Sequence, residues 1–117
     1  GSTDPAHAIT LSTHVLDLQA GAPAVGIRVH LLRDGEAQPV TAGTTDDDGR
    51  VGAWADAVLL LPGAWTLRFE VGNYFAARGI EAFYDDVTIS FRAGDAGTHY
   101  HVPLLLSPFG YSTYRGS

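Results

Sequence analysis

Apolar and polar residues alternate with period two along much of the chain. Ile27, Val29 and Leu31 interleave with Arg28, His30 and Leu32; Leu67, Phe69 and Val71 interleave with Thr66, Arg68 and Glu70; Val87, Ile89 and Phe91 interleave with Thr88, Ser90 and Arg92. Successive side chains of a strand point to opposite faces, so this pattern predicts strands with one buried and one wetter face. Further strands are predicted over Ile9–Leu16, His99–Leu105 and Tyr111–Arg115, with weaker candidates at Val40–Thr45 and Val51–Trp54. One short helix is expected, with Asn73 capping Tyr74–Arg78 and Gly79 supplying the left-handed stop, covering one edge of a sheet. Fourteen Gly and six Pro punctuate these segments. Seven or eight short, evenly spaced strands predict an all-β fold, an antiparallel β-sandwich. Leu16, Leu32 and several aromatics fall on the outward faces, which predicts an oligomer.

Composition narrows the function classes. The 117 residues fit one domain, placed at 9–117 behind a flexible 1–8 segment whose Gly1-Ser2 reads as a cloning remnant. At 45% hydrophobic and 17% charged, the chain has enough apolar surface for a packed core. The net charge is −6 and all seven basic residues are Arg, so there is no basic cluster to neutralise phosphates; neither nucleic acid nor a membrane surface is expected as a partner. The absence of Cys removes disulfides and thiol nucleophiles. The apolar run Val58–Pro62 is far below the length of a membrane span. A cytoplasmic location is the expectation, with a periplasmic one open if a leader has been removed.

Three places could carry chemistry. On the first strand Ile9, Leu11, Thr13 and Val15 face the core, leaving Thr10, Ser12 and His14 together on the other face. In His99-Tyr100-His101 both imidazoles share a face, a spacing that also suits a metal with His14 as third ligand. No carboxylate or Cys sits at a matching interval, so no metal or other cofactor is expected, and a zinc hydrolase stands as a rival reading. In Thr45-Asp46-Asp47-Asp48-Gly49-Arg50 the acids and Gly make a turn, not a calcium loop, because the acids are adjacent rather than alternating. Arg50 either pairs with Asp46–Asp48 or stands free for a ligand. The chain has no nucleophile elbow, phosphate loop or dinucleotide fingerprint, and neither Ser12 nor Ser117 has a triad context. Hydrolysis would therefore use an activated water.

The chain resembles the transthyretin-related 5-hydroxyisourate hydrolases over essentially all of Ile9–Ser117. Leu11-Ser12-Thr13-His14-Val15-Leu16-Asp17, followed by Gly21-Ala22-Pro23-Ala24, is similar to the family's N-terminal motif. Thr45–Arg50 is similar to its central T-x-x-D-G-R motif. His99-Tyr100-His101-Val102-Pro103-Leu104-Leu105-Leu106-Ser107-Pro108, with the terminal Tyr111-Ser112-Thr113-Tyr114-Arg115-Gly116-Ser117, carries the strongest likeness. A terminal Y-R-G-S separates the hydrolases from hormone-carrying transthyretins. One departure is Phe83-Tyr84-Asp85-Asp86, which lacks a Pro after the aromatic pair.

The resemblance implies a transthyretin-like sandwich of two four-stranded sheets with one short helix, assembled as a homotetramer with clefts at the dimer–dimer interface. It implies hydrolysis of 5-hydroxyisourate, the product of urate oxidase, to 2-oxo-4-hydroxy-4-carboxy-5-ureidoimidazoline, without a cofactor. By motif position His14, Arg50 and His101 take the catalytic roles. Tyr114, Arg115, Gly116, Ser117 and His99 take substrate-binding ones. On that reading the two histidines orient and deprotonate a water, and Arg50 stabilises the oxyanion. The alternative is a transthyretin-like carrier of small aromatic ligands without catalysis, which would need a wider and more apolar channel than these side chains make.

Overall fold

The computed structural model describes residues 9–54, 60–94 and 98–116. The strands are β1 (Thr10–Asp17), β2 (Ala22–Pro23), β3 (Arg28–Arg33), β4 (Thr41–Thr44), β5 (Arg50–Val51), β6 (Gly63–Phe69), β7 (Val87–Ala93), β8 (His99–Ser107) and β9 (Gly110–Thr113), with one helix, α1 (Val71–Ala76). Alternation places the core as expected: Ile27, Val29, Leu31, Leu67, Phe69 and Val87 are all buried. They pack against Leu11, Val15, Val102, Leu104 and Leu106 of the other sheet.

One sheet runs β4-β3-β6-β7, antiparallel throughout. The other runs β2-β1-β8-β9, with β5 as a fifth member that shares the outer edge of β1 with β2. Within it β1 and β8 run parallel over eight residue pairs, from Thr10↔His99 to Asp17↔Leu106. The expected antiparallel sandwich of two four-stranded sheets thus stands, with this one parallel pair and with β5 added to one sheet. A parallel pair needs a long crossover, and everything between β1 and β8, including the whole second sheet, serves as that connection.

The helix begins at Val71, three residues ahead of the expected start, because Val71, Tyr74 and Phe75 are spaced to make one apolar face and all three are buried. Asn73 is therefore inside the helix and gives no N-cap; its side-chain amide donates to Glu70 Oε1 at 2.9 Å. Gly79 does adopt the left-handed conformation, φ 69°, at the exit. The helix is tied to β1 by Tyr74, whose hydroxyl donates to buried Asp17 at 2.7 Å. Burial, and then the Asp17 carboxylate, push the Tyr74 phenol up to about 12. Leu32, expected on an outward apolar face, is only 6% exposed because β3 is an interior strand flanked by β4 and β6. Among the described residues, no helix is long and apolar enough to cross a membrane.

Candidate active site

The parallel register of β1 and β8 builds the site. Strands of period two running in the same direction lay their outward residues side by side, so Thr10 lies opposite His99, Ser12 opposite His101 and His14 opposite Pro103. On the other flank of β1, antiparallel β5 sets Arg50 opposite His14. Three segments far apart in sequence thus bring His14, Arg50, His99 and His101 to one sheet face.

Arg50 reaches that face through a turn that tolerates little change. Asp46 Oδ1 accepts hydrogen bonds from the backbone N–H groups of Asp48 (2.9 Å) and Arg50 (3.0 Å), and the Arg50 carbonyl accepts one from Asp46 N–H. The Arg50 N–H is the main cause holding the Asp46 carboxyl below its usual value. Gly49 has φ 76°, and a Cβ there would press on the Val15 carbonyl. Buried Thr45 closes the base of the turn, accepting from Ile27 N–H at 2.8 Å and donating to Ala24 O at 2.7 Å. Among the described residues no carboxylate lies within ion-pair distance of the Arg50 guanidinium, so the pairing with Asp46–Asp48 that the sequence left open does not form.

His101 is half-buried, and its Nδ1 is hydrogen-bonded to Ser12 Oγ at 2.8 Å. Burial first, then the charges of Arg50, His14 and His99, push its pKa below the ordinary value. The imidazole is thus neutral near pH 7, the state a general base requires. The chain's C-terminal segment packs against it. Gly116 N–H donates to the His101 carbonyl at 2.9 Å, and a Cβ at Gly116 would fall 2.5 Å from His101 Cδ2. A cleft of about 240 Å³ opens beside His101 and takes in Tyr114, Arg115 and Phe91. The Arg115 guanidinium lies over the Tyr100 ring, 4.9 Å from its centroid. His14 and Arg50 are not part of that cleft's wall; they stand on the open sheet face next to it.

His99 is exposed and makes two short contacts: Thr10 Oγ1 at 2.6 Å from its Nδ1, and Ser12 Oγ at 2.8 Å from its Nε2. Both of its ring nitrogens are therefore engaged by hydroxyls. Among the described residues no three His, Cys, Asp or Glu side chains are grouped to hold a metal ion. Ser117 and residues 1–8 lie outside the described residues. The sequence reading missed the bridging place of Ser12 and the part of Thr10. Alternation already put both on the His14 face, but only knowledge of the partner strand and its direction reveals what they touch.

A two-sheet sandwich with one short helix, which brings imidazoles and a guanidinium to one sheet face, has a transthyretin-like architecture. The HIUase/Transthyretin family model matches residues 11–116, and the chain belongs to that family. It is 46% identical over 113 residues to a 5-hydroxyisourate hydrolase of Deinococcus radiodurans, covering 92% of this chain and 95% of the relative. The structure of the Klebsiella pneumoniae 5-hydroxyisourate hydrolase superposes with a TM-score of 0.81 at 42% identity, over 92% of this chain and 99% of that one. Sea bream transthyretin, solved with thyroxine, superposes with a TM-score of 0.84 at 26% identity, over 92% and 94%. The fold is thus shared by a hydrolase and a transthyretin that binds thyroxine, and the side chains on the site face have to decide between them.

Proposed function

We propose that this chain hydrolyses 5-hydroxyisourate, the substrate named for its Deinococcus and Klebsiella relatives, in the breakdown of urate. The observation that carries this reading is the register that sets His14 beside Arg50 and brings both to the face of a neutral His101. His101, partnered by His14, takes a proton from water, a function worth about 10²–10⁴-fold in rate. The resulting hydroxide adds to the cyclic amide carbonyl. Arg50, which pairs with no carboxylate among the described residues, stabilises the oxyanion with its planar donor fork. The tetrahedral intermediate collapses, the ring C–N bond breaks, and the departing nitrogen takes a proton. Tyr114 and Arg115 line the cleft next to that face, Gly116 keeps His101 in place, and His99 adds to the polar surroundings. A carrier needs an apolar channel; imidazoles and a guanidinium facing the ligand disfavour that alternative.

The site face is open in a single chain, which supports a homotetramer in which a facing subunit closes it. Among the described residues no strand pairs with the outer edge of β9, and Phe83 (72% exposed) and Phe109 (68% exposed) lie in the segments flanking it. The activity test is ultraviolet absorbance with urate oxidase generating the substrate in situ. The protein should speed decay of the intermediate, and His14→Ala, Arg50→Ala and His101→Ala should each lower turnover by about 10²-fold or more. Decay no faster with protein than without it would remove the assignment.

A further inference from the structure

Thr10 Oγ1, His99, Ser12 Oγ and His101 form an unbroken hydrogen-bonded chain with steps of 2.6, 2.8 and 2.8 Å. It starts at the half-buried His101 and ends at exposed Thr10 and His99. We propose that this chain is a proton relay that lets His101 act as both base and acid without becoming a cation. The inference rests on the reading of His101 as the group that activates water.

The chemistry follows from a count of protons. Ser12 has one hydroxyl proton and stands between two ring nitrogens, so it donates to one and accepts from the other. In one direction His101 Nδ1–H donates to Ser12, Ser12 donates to His99 Nε2, and His99 Nδ1–H donates to Thr10. His101 Nε2 then carries a lone pair and is a base. When Nε2 takes a proton from water, the Nδ1 proton passes to Ser12 and the former Ser12 proton passes to His99 Nε2. The His99 Nδ1 proton leaves through Thr10 to solvent. Each group ends neutral, every bond in the chain has reversed, and His101 now presents Nε2–H as an acid. Donation of that proton to the departing ring nitrogen, with one proton returning from solvent, resets the relay.

The surroundings give such a device a purpose. A cationic His101 would meet the charges of Arg50 on β5, His14 on β1 and His99 on β8. Burial and these charges already disfavour its protonation. A base that passes its charge on avoids that repulsion. The relay also assigns both proton steps of the hydrolysis to one imidazole.

The relay requires His99 and His101 to hold the same neutral tautomer, both Nδ1–H or both Nε2–H. Long-range ¹H–¹⁵N spectra of the wild-type imidazoles should show like tautomers; unlike tautomers would overturn the proposal without any variant. Ser12→Ala should lower kcat about 10- to 100-fold with KM within about twofold, and Ser12→Thr, which keeps the hydroxyl, should restore most of it. In mixed H₂O and D₂O, kcat should vary along a curve for wild type, as several protons move together, and along a line for Ser12→Ala. Wild-type kcat in Ser12→Ala, or curvature that persists in it, sinks the relay. If His101→Ala is inactive while Ser12→Ala is fully active, only the relay fails; if His101→Ala keeps wild-type turnover, the underlying assignment of the base fails with it.

Discussion

Position 116 has no side chain because His101 occupies the space one would need. The imidazole is fixed on one side by Ser12 and on the other by the backbone of Gly116, which also bridges to its carbonyl. Small displacements of a catalytic group are costly: about 1 Å can reduce turnover by about 10²-fold. A methyl at 116 would have to push the ring, or Pro103 beneath it, out of place. Gly116→Ala should therefore lower kcat by about 10- to 100-fold while leaving the melting temperature nearly unchanged, because the contact lies at the end of the chain and outside the buried core. Steady-state kinetics beside a thermal melt checks this; wild-type turnover would show that the ring has slack. The same argument gives the terminal segment a part in catalysis that does not depend on its touching substrate.

The elements divide into those that local pattern specifies and those that it does not. Alternation marks β3, β6 and β7 because each has one buried face, and Gly49 and Gly79 mark their turns because each takes a positive φ. The start of α1 was misplaced because Val71 serves two patterns: it continues the period of Leu67 and Phe69, and it opens the helical spacing of Val71, Tyr74 and Phe75. The parallel pairing of β1 with β8 is a contact across about ninety residues, and nothing in either strand announces its direction. For the site, His14, Arg50 and His101 were legible as motif residues, whereas Ser12 and Thr10 acquire meaning only from that pairing. An element-scale consequence concerns Asp17, which ends β1 buried at 2% exposure, accepts the Gln19 and Ala20 N–H groups, and receives the Tyr74 hydroxyl. Tyr74→Phe removes one donor from a buried acceptor that keeps two others, so it should cost about 1–3 kcal/mol of stability. Turnover of the folded enzyme should be unchanged, since the pair lies away from the His101 face. Thermal unfolding measures the first and the absorbance assay the second; an unchanged melting temperature would show that the helix is held by packing alone.

At the scale of the whole molecule, an acidic chain with a net charge of −6 places one of its seven arginines, Arg50, opposite His14 and another, Arg115, in the cleft beside His101. Those charges are effective only where water is excluded, because solvent screens exposed pairs to small values. In one chain the face carrying Arg50 and His14 is open, so the strength of the proposed oxyanion contact depends on something that covers it. A second copy supplies the cover in the proposed tetramer, and a site of this kind ties catalysis to assembly. Specific activity per chain should then fall by about tenfold or more when the protein is diluted through the concentration at which the assembly dissociates. Sedimentation velocity gives that concentration, and initial rates taken across the same range give the activity. A rate per chain that stays constant well into the monomeric range would mean that one subunit holds the complete site, and that Arg50 stabilises its oxyanion in contact with solvent.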